Sequence, residues 1–161
     1  MKKLLLALTL LAPSAGFACS CEGSVWSWST SEAVVAARQR VRVAEEVLRV
    51  RVSGLTRDGD TTVYVVEVQE ALKSSSTEAI RRLTTGGDSC NLSMSLNDEW
   101  LVFVNNGRVS QCNGSWPVET SDDSHVGLTA SQVAEQRESR RAMAANWLSF
   151  VRFALSELPA R

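Results

Sequence analysis

Between residues 44 and 112 the chain repeatedly alternates apolar and polar positions. Leu48, Val50 and Val52 alternate with Arg49 and Arg51, the two-residue period of a strand with one wet face, and the strand is expected over Ala44 to Val52. Thr56-Arg57-Asp58-Gly59-Asp60 then reads as a turn with Asp-Gly at its centre. The run Thr62-Val63-Tyr64-Val65-Val66-Glu67-Val68, within Thr61 to Leu72, is β-branched and predicts a second strand, antiparallel to the first across a hairpin. Ala79 to Thr85 predicts a third strand, and Gly86-Gly87-Asp88 a turn just before Ser89-Cys90. Glu99 to Val104 is a strong strand signal, Asn105-Asn106-Gly107 a hairpin turn, and Arg108 to Cys112 the expected return strand. About five short strands are the complement of a small barrel.

Helical periodicity flanks this region. Ser29 and Glu32 have capping-box spacing and open a short helix through Ala33-Val34-Val35-Ala36-Ala37. Residues 119–127 are acidic and polar, a loop. Thr129 and Gln132 repeat the capping-box spacing, and a long helix follows. Its stripe Trp147, Leu148, Val151, Ala154, Leu155, Leu158 predicts packing against the sheet, and Pro159 ends it. Glu135, Arg137, Glu138, Arg140 and Arg141 carry mixed charge, which argues against a membrane-surface helix.

The N-terminus changes the picture. Lys2 and Lys3, the apolar run Leu4 to Leu11 and the small residues before Cys19 form the pattern of an export signal over residues 1–18, cleaved after Ala18. The apolar run is too short to span a bilayer, and no later run approaches that length, so a secreted or periplasmic location without a transmembrane segment is expected. All four cysteines, Cys19, Cys21, Cys90 and Cys112, then fall in the exported chain, where bridges are chemically permitted. One residue separates Cys19 from Cys21, and a bridge between them would be strained. Each is therefore expected to bond one of Cys90 and Cys112. A lipoprotein acylated at Cys19 is the alternative, although Gly16 and the bulky Phe17 depart from its usual leader.

Composition narrows the function. Lys and Arg total 17 against 18 Asp and Glu, without the basic surplus of a nucleic-acid binder. The single histidine, His125, stands in the polar loop Asp122-Asp123-Ser124-His125 with no nucleophile beside it, so no enzyme, metal centre or cofactor is expected. Neither a phosphate-binding glycine loop nor a hydrolase motif is present. Asn91-Leu92-Ser93 and Asn113-Gly114-Ser115 fit the glycosylation tripeptide but read as turns beside cysteines. Trp26, Trp28, Trp100 and Trp116 could form a ligand patch, with Trp100 read as core or rim packing.

One constellation joins these features. The exported chain opens Cys19-Ser20-Cys21, a helix leads into a Val-rich strand, and a Tyr-containing hairpin strand follows. Asp88-Ser89-Cys90 then precedes Leu92, and Trp100-Leu101-Val102-Phe103 leads through Asn106-Gly107-Arg108 to Cys112-Asn113-Gly114-Ser115. In this order and spacing the chain resembles the netrin-like domain, and within it the N-terminal domain of tissue inhibitors of metalloproteinases, over roughly residues 19–118. The export signal and the compact C-terminal helix suggest a bacterial member.

The resemblance implies a mainly β, α+β fold: a five-stranded OB-type barrel with a short N-terminal helix and a C-terminal helix. Residues 1–18 would be the signal, 19–118 the barrel domain, and 119–161 a linker and helix packed on it. It also implies bridges Cys19–Cys90 and Cys21–Cys112. Closing a loop of about 70 residues would stabilise by about 4 kcal/mol at most. In inhibitors of this type the first cysteine's α-amino nitrogen and carbonyl oxygen chelate the protease's catalytic zinc, and here those groups belong to Cys19. An α-amino group titrates near pH ~8 and keeps a neutral fraction at pH 7, and catalytic zinc holds an open position for such a ligand. Ser20 would enter the protease's primary specificity pocket, with Cys21, Glu22, Ser89 and Cys90 completing the edge. The expected partner is a zinc metalloprotease. The alternative is a non-inhibitory binding or structural module of the cell envelope on the same fold.

Overall fold

A computed structural model describes residues 29–86, 91–120 and 129–159. In chain order the elements are α1 (Thr30–Val43), β1 (Glu46–Asp58), β2 (Thr61–Lys73), β3 (Ile80–Gly86), β4 (Glu99–Val104), β5 (Trp116–Glu119) and α2 (Ala130–Ser156). The strands form one five-stranded antiparallel sheet in the order β3-β2-β1-β4-β5. The sheet is an open ladder and is not closed into a barrel. One parallel bridge, Thr84 with Arg108, links β3 to the segment between β4 and β5.

Both helix starts follow the sequence signal. Ser29 caps α1 and Thr129 caps α2, each with the reciprocal bond from its third helical residue, Glu32 or Gln132. Such caps contribute about 1 kcal/mol each. At the other end of α1, the Lys73 ammonium donates to the carbonyls of Val41 (2.9 Å) and Ala44, groups that a helix terminus leaves without internal partners.

Two apolar clusters lie on opposite faces of the sheet. β4 is buried throughout, and its alternation assigns Trp100, Val102 and Val104 to one face and Leu101 and Phe103 to the other. The first cluster adds Leu48, Val50, Val52, Tyr64, Val66 and Leu83 from β1 to β3, with Leu92, Met94 and Val109 beneath them. The second gathers Val47, Leu101 and Phe103 under the helices. α1 contributes Ala37 and Val41, and α2 contributes Trp147, Val151 and Ala154. The Phe103 and Trp147 rings lie 6.3 Å apart, a tilted pair worth about 1 kcal/mol beyond its burial. The apolar stripe of α2 thus packs against α1 and the sheet, as its spacing predicts. No helix among the described residues is long and apolar enough to cross a membrane.

Three expectations need correction. The face of β1 carrying Arg49 and Arg51 is not simply wet: Val47 on the same face is covered by the helices, and both arginines grip the buried carboxylate of Glu99 at 2.8 and 2.5 Å. β1 also runs past Val52 to Asp58, so the predicted five-residue turn shrinks to Gly59-Asp60, with Gly59 at φ 57°. Arg108 to Cys112 is not a return strand. The turn at Asn106 and Gly107 forms, both at positive φ, but the chain then bonds sideways to β3 through Thr84 and enters a 3-10 turn at Gln111–Asn113. The fifth strand comes later, at Trp116–Glu119.

Candidate cysteine-anchored edge

The proposed zinc-facing edge rests on the segments that carry cysteines. Of its residues, Cys19, Ser20, Cys21, Glu22, Ser89 and Cys90 lie outside the described residues, as do Trp26, Trp28 and His125. Cys112 is described. It stands in the 3-10 turn and is disulfide-bonded, not a free thiol. The flanks of Cys90 and Cys112 are described in detail.

The chain after Cys90 is held by two buried side chains. The Tyr64 hydroxyl donates to the Leu92 carbonyl at 2.8 Å and accepts from the Met94 N–H at 3.2 Å, stitching residues 92 and 94 to the middle of β2. Thr85, at the end of β3, accepts from the Leu92 N–H at 2.9 Å. Both ends of the 86–91 connection are therefore fixed. Gly86 is required at its start: at φ 131° an added Cβ would lie 2.2 Å from the Asp60 carbonyl oxygen. Beside these groups is a hollow of about 540 Å³, lined by Tyr64, Thr85, Leu92 and the β1–β2 turn.

The chain around Cys112 is held by a different device. Asn113 and Ser115 act as substitute backbone beside β4. The Asn113 side-chain amide donates to the Phe103 carbonyl, and the Ser115 hydroxyl accepts from the Phe103 N–H at 3.2 Å while donating to Asn113 Oδ1 at 2.8 Å. Polar groups that would otherwise be buried unpaired are satisfied without a strand. Gly114, at φ 99°, lies under the Arg40 side chain, and its carbonyl accepts from Trp147 Nε1 at 3.3 Å. Asn113 is therefore a turn-builder whose amide is engaged within the fold.

β3 brings these flanks together. The Thr84 N–H donates to the Gly107 carbonyl at 3.0 Å and its carbonyl accepts from Val109 at 2.9 Å, while the next residue, Thr85, binds Leu92. Arg108 adds a bond to the Gly86 carbonyl at 2.6 Å. Leu92 is two residues from Cys90 and Val109 three from Cys112. The described flank after Cys90 and the described turn before Cys112 therefore meet adjacent positions on one strand. Sequence reasoning missed Thr84, Thr85 and Arg108 because their roles depend on which segment meets the β3 edge. Tyr64 carried a signal, as the one tyrosine of the chain set in a valine-rich strand.

Elsewhere, Trp100 is buried and Trp116 is half-buried, and both line a hollow of about 790 Å³ between β5 and α2. Burial pushes the Glu99 carboxyl up, but the hydrogen bonds and charges of Arg51 and Arg49 outweigh it and hold the group below the usual carboxylate range. Among the described residues no group of histidine, cysteine, aspartate or glutamate side chains could hold a metal ion. No protein-family model matches this chain, and no curated protein matches its sequence.

Proposed function

We propose that the exported chain is a non-enzymatic inhibitor of a zinc metalloprotease, presenting the backbone of Cys19 to the protease's metal from an edge fastened by Cys19–Cys90 and Cys21–Cys112. The observation that carries this reading is the tethering of both cysteine flanks to Thr84 and Thr85. Two cysteines separated by one residue, as Cys19 and Cys21 are, span at most about 7 Å between Cα atoms. They can reach Cys90 and Cys112 together only if those two are neighbours, and the bonds of β3 favour that arrangement. Two such bridges would need an oxidising compartment, which the export signal expected over residues 1–18 would supply. Rigid presentation lowers the ordering cost of binding a partner.

The strand order supports an OB-type barrel as the underlying architecture. In the antiparallel order β3-β2-β1-β4-β5 the outer strands β3 and β5 run in the same direction, so any closure between them must be parallel. The Thr84–Arg108 bridge is parallel and lies on the segment leading into β5. It stands where a five-stranded barrel would close.

Intact mass and disulfide mapping of the mature protein test the chemistry of this edge. The expected mass is that of the chain from Cys19 with two bridges and an unmodified amine. An acyl chain on Cys19 would leave an unpaired cysteine and favour the envelope-anchored alternative. Selective acetylation of the Cys19 amine is then expected to abolish inhibition of a zinc metalloprotease, and undiminished inhibition would exclude amine chelation.

A further inference from the structure

The second half of β1 has an open edge. β4 pairs with β1 only over Glu46 to Arg51, and the Asn97–Asp98 turn bonds both backbone groups of Val52 at 2.9 Å. Beyond Val52, β1 continues to Asp58 with β2 on one side only. The two-residue turn Gly59-Asp60 fixes the polarity of this stretch. Asp58 and Thr61 flank the turn as a hydrogen-bonded pair, so Thr56 and Asp58 direct their N–H and C=O groups to β2, while Leu55 and Arg57 direct theirs away. Among the described residues nothing bonds those outward groups. Residues 55–58 are exposed, and Leu55 keeps 46% of its surface in solvent. A row of unpaired backbone groups beside an exposed apolar side chain is a template for another strand.

We propose that this edge pairs with the same edge of a second copy, in antiparallel register about a two-fold axis at Thr56. The register follows from complementarity. With Leu55 opposite the partner's Arg57, the outward groups of both chains meet in four backbone hydrogen bonds. Each Arg57 stem then covers a Leu55, and each Asp58 faces a glycine, Gly54. Thr56 faces its own copy across the axis. Shifting the strand so that Arg57 meets Arg57 would oppose like charges. The ladder is short against a standard interface, so the association is concentration-dependent and weak. This inference is independent of protease inhibition and needs no protease to test.

Sedimentation velocity of the mature protein over a wide concentration range is expected to show a reversible monomer–dimer equilibrium. Arg57→Pro removes the outward N–H together with the stem that covers Leu55 and leaves the β2 ladder intact, so it should weaken the dimer about tenfold or more without changing the circular dichroism spectrum. Thr56→Cys should form a disulfide-linked dimer on mild oxidation, because directly opposed residues of a non-hydrogen-bonded pair suit a disulfide. Asp58→Cys, displaced from the axis, should not. A protein monomeric at every concentration, or equal crosslinking of the two cysteine variants, would overturn the proposal.

Discussion

Replacing Tyr64 with phenylalanine isolates one hydroxyl on which the Cys90 flank depends. The ring is buried and would stay packed against the sheet core, so the change removes two hydrogen bonds and little apolar contact. The two abandoned groups are not equivalent. Leu92 lines the hollow of about 540 Å³, so water can reach its carbonyl and recover part of the loss. Met94 is buried and does not line that hollow, so its N–H bears the desolvation cost of an unpaired donor, about 1–3 kcal/mol. With the net loss of the first bond, the expected destabilisation is about 2–3 kcal/mol. That is a large part of the ~5–15 kcal/mol that holds a domain together. Urea unfolding of the oxidised wild type and variant would give the difference, with an unchanged slope marking an unchanged fold. Amide exchange would locate it, with faster exchange at Met94 and little change at Val102. A loss under about 0.5 kcal/mol, or uniform acceleration across both apolar clusters, would refute the clamp.

Three further perturbations examine other joints of the structure. Gly86→Ala forces a Cβ against the Asp60 carbonyl and the Thr61 Cα, and should cost about 3 kcal/mol or prevent folding, read by circular dichroism and urea unfolding. Glu99 has a folded-state pKa below its unfolded value, so its contribution is fully present above the ordinary carboxylate range and is lost as pH falls through the lowered value. Glu99→Gln should remove that part of the acid-side dependence and cost about 1–2 kcal/mol at neutral pH, the half-exposed arginines limiting the effect, as a pH series of unfolding midpoints would show. Trp147→Ala should cost about 3–5 kcal/mol and raise amide exchange in the Gly114–Trp116 turn, since the indole both fills the second apolar cluster and binds the Gly114 carbonyl.

The elements legible in the sequence were those written in local chemistry. Ser29 and Thr129 sit three residues before their capping partners. Asn106-Gly107 adopts the positive φ pair its composition favours, and Glu99 to Val104 is too apolar to be anything but a doubly covered strand. The misplaced fifth strand has a non-local cause. Arg108 and Val109 alternate plausibly for a return strand, but their partner is Thr84, more than twenty residues back, and Asn113 and Ser115 replace the missing ladder with side chains. Arg49 and Arg51 misled for the same reason. Period two gives the face but not what covers it, and the buried Glu99 is brought opposite Arg51 only by the β1–β4 register. Of the candidate edge, the cysteine spacing was legible, while the convergence of both flanks on Thr84 and Thr85 required the tertiary fold.

The central claim places the free backbone of Cys19 on a partner's zinc. Its most direct test is inhibition of a zinc metalloprotease by the mature protein and by the same protein with one alanine added before Cys19. The added residue is compatible with both proposed bridges and the described fold, but moves the amine and blocks the proposed chelating position. Inhibition by the native form and its loss on extension is the expected result. Equal inhibition by the two forms would contradict chelation by Cys19.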